Sequence, residues 1–132
     1  MKYRIVKENR PTLKNYGRYK AVAVHYQTVS PEQLRREIQA NCSAKASDVT
    51  LVLTELAETI RRHLQDGDRV RIEELGLLKL EIEADRVDHP EDFDMGQHFR
   101  SFRLHVLPES LHGHPQLYEG ITLERVRQLD RR

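Results

Sequence analysis

Cysteine is rare, tryptophan is absent and long apolar runs are missing from this chain of 132 residues. The single cysteine, Cys42, cannot form a disulfide within the chain, and such sparse use is typical of a reducing cytoplasm. No apolar run approaches the roughly 18 residues that a membrane-spanning helix needs, so we expect no membrane segment. The first ten residues mix charged with apolar side chains, so we expect no secretory signal and a cytoplasmic location.

Signatures of catalysis are missing as well. The chain contains no G-x-S-x-G elbow, Walker loop, G-x-G-x-x-G turn or H-E-x-x-H helix. Its densest group of carboxylates is one acidic run, over residues 81–99, and not an isolated pair in the apolar setting that raises a pKa for acid–base chemistry. His112 and His114 form an H-x-H pair with His105 nearby, which without paired cysteines is a weak zinc signal. We therefore expect no enzyme, no metal, no cofactor and no small-molecule substrate.

Charge is unevenly distributed, although the formal net charge is only +1. Residues 1–24 hold seven basic side chains and one acidic one, whereas residues 81–99 hold one basic and seven acidic ones. The first segment would attract a polyanion and the second would repel it. The two segments therefore cannot serve the same polyanionic partner.

The N-terminal third of the sequence predicts a β-hairpin followed by a helix. Apolar and polar residues alternate over residues 3–7 and 19–26, as they do in paired strands with one buried face. Ser30 is the expected N-cap of the first helix, with Gln33 three residues later to complete a capping box. This helix should end near Asn41.

A second, longer helix should have Ser47 as its N-cap and should end at Asp66-Gly67, where glycine allows a left-handed cap. Apolar residues recur along it at steps of three and four residues. They are Val49, Val52, Leu53, Leu56, Ile60 and Leu64. Leu51 lies on the opposite side, where it is either an ordinary exposed leucine or a residue covered by a second protomer.

After Gly67 the hydrophobic period changes to two, which predicts a sheet. Residues 70–72, 78–84 and 102–106 are the expected strands, and the last two should pair antiparallel. Gly76 marks a turn or bulge between the first two.

Thr122 is expected to cap a short final helix that runs through Leu123, Val126 and Leu129.

Residues 67–72 (GDRVRI) and 75–78 (LGLL), placed after two helices, resemble the HU/IHF family of histone-like bacterial DNA-binding proteins. In that family the second helix runs into a G-x-x-V-x-L segment and a G-F-G-x-F turn, and here Glu74 replaces the first turn glycine. The N-terminal hairpin and the short acidic segment HPEDFDMG are similar to the HU-related branch that carries such an extension. The resemblance covers about residues 2–110.

The resemblance implies an α+β fold, HU/IHF-like, in which two helices from the N-terminal half pack on an antiparallel sheet. An N-terminal hairpin and a short C-terminal helix complete the expected fold. The organisation implied is one HU-like domain over residues 1–132, with a hairpin extension at 1–27, a core at 28–110, an acidic arm at 83–99 and a tail at 111–132. Family members form intertwined homodimers, so we expect a homodimer here.

The function implied is non-specific binding of double-stranded DNA by a histone-like, chromosome-organising protein of the cytoplasmic nucleoid. Family members kink DNA with a proline wedge at the arm tip. Here the one candidate is Pro90, and because acidic residues surround it a simple turn is the better interpretation.

The expected DNA-binding residues are Arg71, Lys79, Arg103, Arg4, Lys14, Arg18 and Lys20. Basic side chains of this kind also occur on ordinary solvated surfaces. The alternative function is a protein-interaction or DNA-mimic module that uses the acidic segment 81–99 as its binding surface.

Overall fold

The computed structural model of the protein describes residues 1–111 and 114–127. These residues form two compact units, one made of Met1–Glu37 with the segment from Gly120 onward and the other of Ile38–Glu119. The strands are β1 (Lys2–Lys7), β2 (Tyr19–Ala23), β3 (Val70–Ile72), β4 (Gly76–Ala84), β5 (Phe99–Pro108), β6 (Ser110–Leu111), β7 (His114–Pro115) and β8 (Glu124–Arg125). The helices are α1 (Pro31–Asn41), α2 (Ala46–Gln65) and α3 (Met95–His98), with short 3₁₀ turns at Pro90–Asp92 and Gln116–Tyr118.

The first unit contains the hairpin that the alternating pattern predicts. β1 and β2 pair antiparallel, with Tyr3 opposite Ala23 and Lys7 opposite Tyr19. β8 pairs in parallel with the other edge of β1, which gives the strand order β2-β1-β8.

β8 overturns the prediction of a final helix capped by Thr122. The backbone N–H of Glu124 donates to the carbonyl of Met1, and the N–H of Val126 donates to the carbonyl of Tyr3. These two N–H groups therefore form hydrogen bonds with the edge of β1 and cannot form the hydrogen bonds of a helix. Leu129, the last residue of the predicted helix, lies outside the described residues.

α1 begins as predicted. The hydroxyl of Ser30 accepts a hydrogen bond from the backbone N–H of Gln33 at 3.1 Å, which satisfies one of the free donors of the first turn. The side-chain amide of Gln33 donates to Glu37 at 3.2 Å instead of returning to Ser30, so the reciprocal half of the capping box is not formed.

α2 begins earlier than predicted. Its N-cap is Lys45 rather than Ser47, because the carboxylate of Asp48 accepts a hydrogen bond from the backbone N–H of Lys45 at 3.2 Å. The predicted end at Asp66-Gly67 is confirmed, and Gly67 adopts the left-handed φ of +90°.

The apolar stripe of α2 is only partly covered within one chain. Val49 and Leu64 are buried, whereas Val52 and Leu56 are exposed. Leu51, on the other side, is also exposed within the single chain.

The second unit contains the predicted antiparallel sheet, in the order β3-β4-β5. Ile72 lies opposite Gly76 and Leu80 lies opposite Leu104. The turn between β3 and β4 uses Glu74, with φ of +67°, so that Gly76 is the first residue of β4 rather than the turn residue. Gly76 is nevertheless required, because a Cβ there would lie 2.2 Å from the carbonyl oxygen of Leu107.

One face of this sheet is apolar and exposed within the single chain. Leu80, Ile82, Phe102, Leu104 and Val106 are all exposed, and Phe102 reaches 64%. The sequence pattern places these residues inward, so the structure leaves them without the cover that the pattern predicts. We call this surface the apolar sheet face.

The connector between β4 and β5 is short and folded rather than a long arm. Its 3₁₀ turn begins at Pro90, as the turn interpretation expects, and α3 leads directly into β5. The backbone N–H of Asp85 donates to the carbonyl of His98 at 2.8 Å and closes the connector at its base. The described part of the chain contains no helix that is both long and apolar enough to cross a bilayer.

Candidate functional site

The register of β1 and β2 places three cations on one face of the first unit. Residues directly opposite each other in an antiparallel pair point to the same side, and every second residue of a strand does so too. Arg4 lies opposite Val22 and Val6 lies opposite Lys20, so that Arg4, Lys20 and Lys2 share a face. All three are exposed to solvent.

The loop that joins β1 to β2 surrounds a cleft of about 570 Å³. Its lining residues are Glu8, Leu13, Lys14, Asn15, Arg18, Tyr19 and Lys20. Three of the seven cations that the sequence predicts as DNA-binding, Lys14, Arg18 and Lys20, therefore meet at one place. We call it the loop cleft.

The loop cleft is organised by Glu8, which the sequence reasoning did not single out. Glu8 is buried, and its carboxylate accepts hydrogen bonds from Arg10 Nε at 2.9 Å and Lys20 Nζ at 3.1 Å. Its backbone N–H donates to the carbonyl of Arg18, and its own carbonyl accepts from Gly17. One feature of the sequence could have identified Glu8, because it is the one acidic residue among seven basic ones in residues 1–24.

These partners change the acidity of Glu8. Hydrogen bonds from Arg10 and then from Lys20 favour the carboxylate and lower its pKa from 4.5 to about 2. Glu8 is therefore ionised throughout the physiological range. It holds two cations in fixed positions instead of leaving all of them free in solvent.

The predicted cations of the second unit are paired with carboxylates. Arg71 forms an ion pair with Glu109, which lowers the pKa of that carboxyl. Lys79 lies 3.3 Å from Glu81, and Arg103 lies 2.9 Å from the same carboxylate.

Arg103 also approaches Glu83, at 3.6 Å. Hydrogen bonds from Arg103, and then from Lys79, lower the pKa of Glu81, which therefore stays charged. Because each predicted cation on this sheet is matched by an anion, the sheet offers little net attraction to a phosphate.

The connector between β4 and β5 presents an acidic surface. Asp88, Glu91, Asp92 and Asp94 are all exposed. Asp85 differs from them, because an ion pair with Arg100 lowers the pKa of its carboxyl.

Within residues 1–111 and 114–127 no cluster of three or more histidine, cysteine, aspartate or glutamate side chains could hold a metal ion. His105 contacts Glu81 at 3.1 Å. His112, from the H-x-H pair, lies outside the described residues.

Comparisons with known proteins agree with the architecture. The model of a family termed HU-HIG, described as "HU domain fused to wHTH, Ig, or Glycine-rich motif", matches residues 1–110. The fold is also similar to the crystal structure of a protein from Bacteroides vulgatus ATCC 8482, which is titled a "Putative bacterial DNA binding protein".

That similarity has a TM-score of 0.60 at 12% sequence identity and covers 95% of this chain. It covers 47% of the other chain, so that this chain spans about half the length of that protein. At this identity the likeness concerns the fold alone. No curated protein matches the sequence.

Proposed function

The chain belongs to the HU-HIG family, and from this we propose that it binds double-stranded DNA without sequence specificity, as a histone-like protein of the bacterial nucleoid. Membership confirms the resemblance to HU and the HU-like α+β fold. The proposed role is binding rather than catalysis. We further propose that residues 28–110 form the HU-like core and that residues 1–27 are its extension.

The observation that carries this proposal is the group of exposed cations on the first unit. Lys2, Arg4 and Lys20 follow one face of the hairpin, and Lys14 and Arg18 continue the positive surface around the loop cleft. Cations arranged in this way neutralise successive phosphates and release condensed counterions, which is the main source of non-specific affinity for DNA.

The mode of binding we propose differs from the wedge mechanism of the wider family. The connector that replaces the arm holds four exposed carboxylates around Pro90, and bringing these close to phosphates costs free energy. The cations on the second sheet are engaged with Glu81, Glu83 and Glu109. In residues 1–24 Lys20 and Arg10 are paired as well, but both share the one carboxylate of Glu8, so that the excess of seven basic over one acidic side chain leaves this segment positive. We therefore assign the main DNA contacts to the first unit.

We also propose a homodimer. The apolar sheet face exposes five large side chains together, and contiguous apolar surface of this kind marks an interaction site in soluble proteins. In a dimer with a two-fold axis, the apolar sheet face of one copy would pack against the same face of the other copy and cover it.

The test is a titration of purified protein against a duplex of about 30 base pairs at several salt concentrations. We expect binding at about 50 mM salt, and a slope of log K against log salt of about −2 to −5, because each phosphate contact contributes about −0.9. Unchanged duplex mobility at micromolar protein and about 50 mM salt would refute the proposal.

A second function has one observation in its favour. The acidic surface formed by Asp88, Glu91, Asp92 and Asp94 is exposed, and it suits a basic polypeptide better than a nucleic acid. On this alternative the protein is an interaction or DNA-mimic module. It would capture a basic partner through these carboxylates and would leave duplex mobility unchanged.

A further inference from the structure

An exposed aromatic ring lies beside the cations of the first hairpin. The side chains of Lys2, Arg4 and Lys20 share one face of β1 and β2, which we call the cation face. The backbone N–H of Val24 donates to the carbonyl of Lys2 at 2.9 Å, so that the pairing with β1 continues past the end of β2. Two residues later, the centroid of the Tyr26 ring lies 5.6 Å from Nζ of Lys2. This contact places the ring at one end of the cation face.

The surface between the cations is apolar. Val22 lies opposite Arg4 and Val6 lies opposite Lys20, so that each valine is next to a cation on the same face. Both valines are half-buried, whereas the two cations are exposed. The cation face therefore has an apolar floor from which charged side chains project.

Tyr26 is open to solvent at the end of this face. Its side chain is 58% exposed, although Lys2 lies over the ring. The attraction between an ammonium group and an aromatic ring keeps the ring beside the cations. A nucleobase that stacks on the exposed part of this ring is thereby held close to groups that bind phosphate.

A closed duplex gains little from such a ring. Its bases already stack on one another inside the helix, and contacts to its backbone are made by cations and hydrogen-bond donors. A single strand carries the same phosphates but has free base faces. Surfaces that bind single strands combine positive charge with aromatic side chains on which the bases stack. The pairing of ring and charge on the cation face therefore favours an unpaired strand.

Two carboxylates near the cation face affect where the phosphates lie. Glu8 is buried and accepts a hydrogen bond from Lys20, which keeps two further N–H donors for a ligand. Glu124 in β8 lies beside Lys2 and is exposed, so that it lowers the positive potential at the Tyr26 end. An uncharged base is tolerated there better than a phosphate. We therefore assign the phosphates mainly to Arg4 and Lys20.

We propose that the cation face binds single-stranded DNA. One base stacks on Tyr26, and the phosphodiester backbone follows the cations along the hairpin. The choice of DNA as the partner rests on the proposed function, whereas the preference for unpaired bases goes beyond it.

The first experiment uses the wild-type chain alone. An oligothymidylate of about 20 nucleotides and a base-free sugar-phosphate strand of the same length are titrated at about 50 mM salt. We expect the oligothymidylate to bind about 5- to 150-fold more tightly, because only this strand has a base to stack. Equal affinity for the two strands would overturn the proposal. Tighter binding of an oligouridylate RNA than of the oligothymidylate would overturn the choice of DNA.

The second experiment tests the ring. Tyr26→Ala should weaken oligothymidylate binding by about 5- to 150-fold and leave binding of the base-free strand unchanged, and Tyr26→Phe should retain the wild-type affinity. Tyr19→Ala is the matched control, because Tyr19 is 69% exposed in the same unit but precedes Lys20 in β2 and so points to the opposite face. Equal loss in Tyr26→Ala and Tyr19→Ala would contradict a stacking role for Tyr26.

The third experiment tests the path of the backbone. Arg4→Gln should weaken binding of both strands and reduce the magnitude of their salt slope by about 0.7, the contribution of one phosphate contact in a single strand. Glu124→Gln should strengthen binding of both strands, because it removes negative charge beside Lys2. Unchanged affinity in Arg4→Gln would refute the assignment of the phosphates to the cation face.

Parallel titration of a blunt duplex of about 30 base pairs separates this proposal from the proposed function. Tyr26→Ala should leave the duplex affinity unchanged. Duplex binding without preference for the oligothymidylate over the base-free strand would overturn the single-strand proposal and leave the proposed function intact. Binding of the oligothymidylate through Tyr26 without duplex binding would support the single-strand proposal and refute the proposed function.

Discussion

Glu8 and Lys20 are joined across the first hairpin, with 3.1 Å between a carboxylate oxygen of Glu8 and Nζ of Lys20. The only acidic residue in the N-terminal segment is thus buried beneath the cations that surround it. Glu8 adds negative charge to a positive surface, yet it determines where Arg10 and Lys20 are held.

We expect the stability of the protein to depend on pH through Glu8. The folded-state pKa of about 2 lies below the ordinary value of 4.5, so the ionised carboxylate stabilises the fold above about pH 4.5 and this contribution is lost as pH falls towards 2. Thermal melting of the wild type and Glu8→Gln should be compared between about pH 6 and pH 2. We expect the difference in melting temperature between the two proteins to be constant near pH 6 and to decrease as the pH falls towards 2. A difference that does not vary with pH would contradict this assignment.

Gly76→Val should destabilise the protein by more than ~1 kcal/mol, because the new Cβ would meet the carbonyl oxygen of Leu107 in the neighbouring strand. Denaturant unfolding measures the loss. Gly96→Ala is the control, since a Cβ there approaches only the side chain of Asp94, at 3.6 Å. An unchanged midpoint for Gly76→Val would mean that β4 and β5 do not approach each other as described.

Sedimentation at micromolar concentration should report about twice the chain mass of 15.6 kDa. Phe102→Asp should shift the protein towards the monomer, because it places a charge in the middle of the apolar sheet face. Leu123→Asp should leave the mass unchanged, since Leu123 is equally exposed but belongs to the first unit. A wild-type monomer under these conditions would refute the proposed dimer.

Replacing Lys14, Arg18 and Lys20 together by alanine should weaken duplex binding and reduce the magnitude of the salt slope by up to about 2.7, since each lost phosphate contact removes about 0.9. The matched control replaces Arg71, Lys79 and Arg103, whose charges are already balanced by carboxylates. A larger loss of duplex affinity in the control variant would indicate that the DNA-binding surface lies on the second unit.

Replacing Asp88, Glu91, Asp92 and Asp94 by their amides should strengthen duplex binding, because it lowers the negative potential that repels an approaching polyanion. The affinity of this variant for the duplex is measured by the same titration at about 50 mM salt as that of the wild type. Unchanged DNA affinity, accompanied by loss of binding to a basic polypeptide, would favour the interaction-module alternative.

Local patterns predicted the fold well where the structure is determined by neighbouring residues. The hairpin, the cap at Ser30, the end of α2 at Gly67 and the antiparallel pairing of β4 with β5 all follow from periodicity and capping chemistry. The helix predicted after Thr122 was wrong, because the competing partner of that segment is β1, at the opposite end of the sequence.

The site was harder to predict, because pairing of charges depends on register. Arg103 is neutralised by Glu81 because the two lie directly opposite each other in β4 and β5. No local pattern specifies that alignment, since it follows from how the connector folds. The grouping of Lys14, Arg18 and Lys20 likewise depends on the loop conformation that Glu8 stabilises.

The parallel pairing of β8 with β1 also bears on how the protein is made. On the ribosome, the hairpin emerges before the second unit, whereas residues 124–125 emerge only after it. Until then one edge of β1 has unpaired backbone groups in the nascent chain, which is a template for unwanted strand pairing. Lys2 and Arg4 lie on that edge strand, and their charges oppose association with another copy while the chain is incomplete.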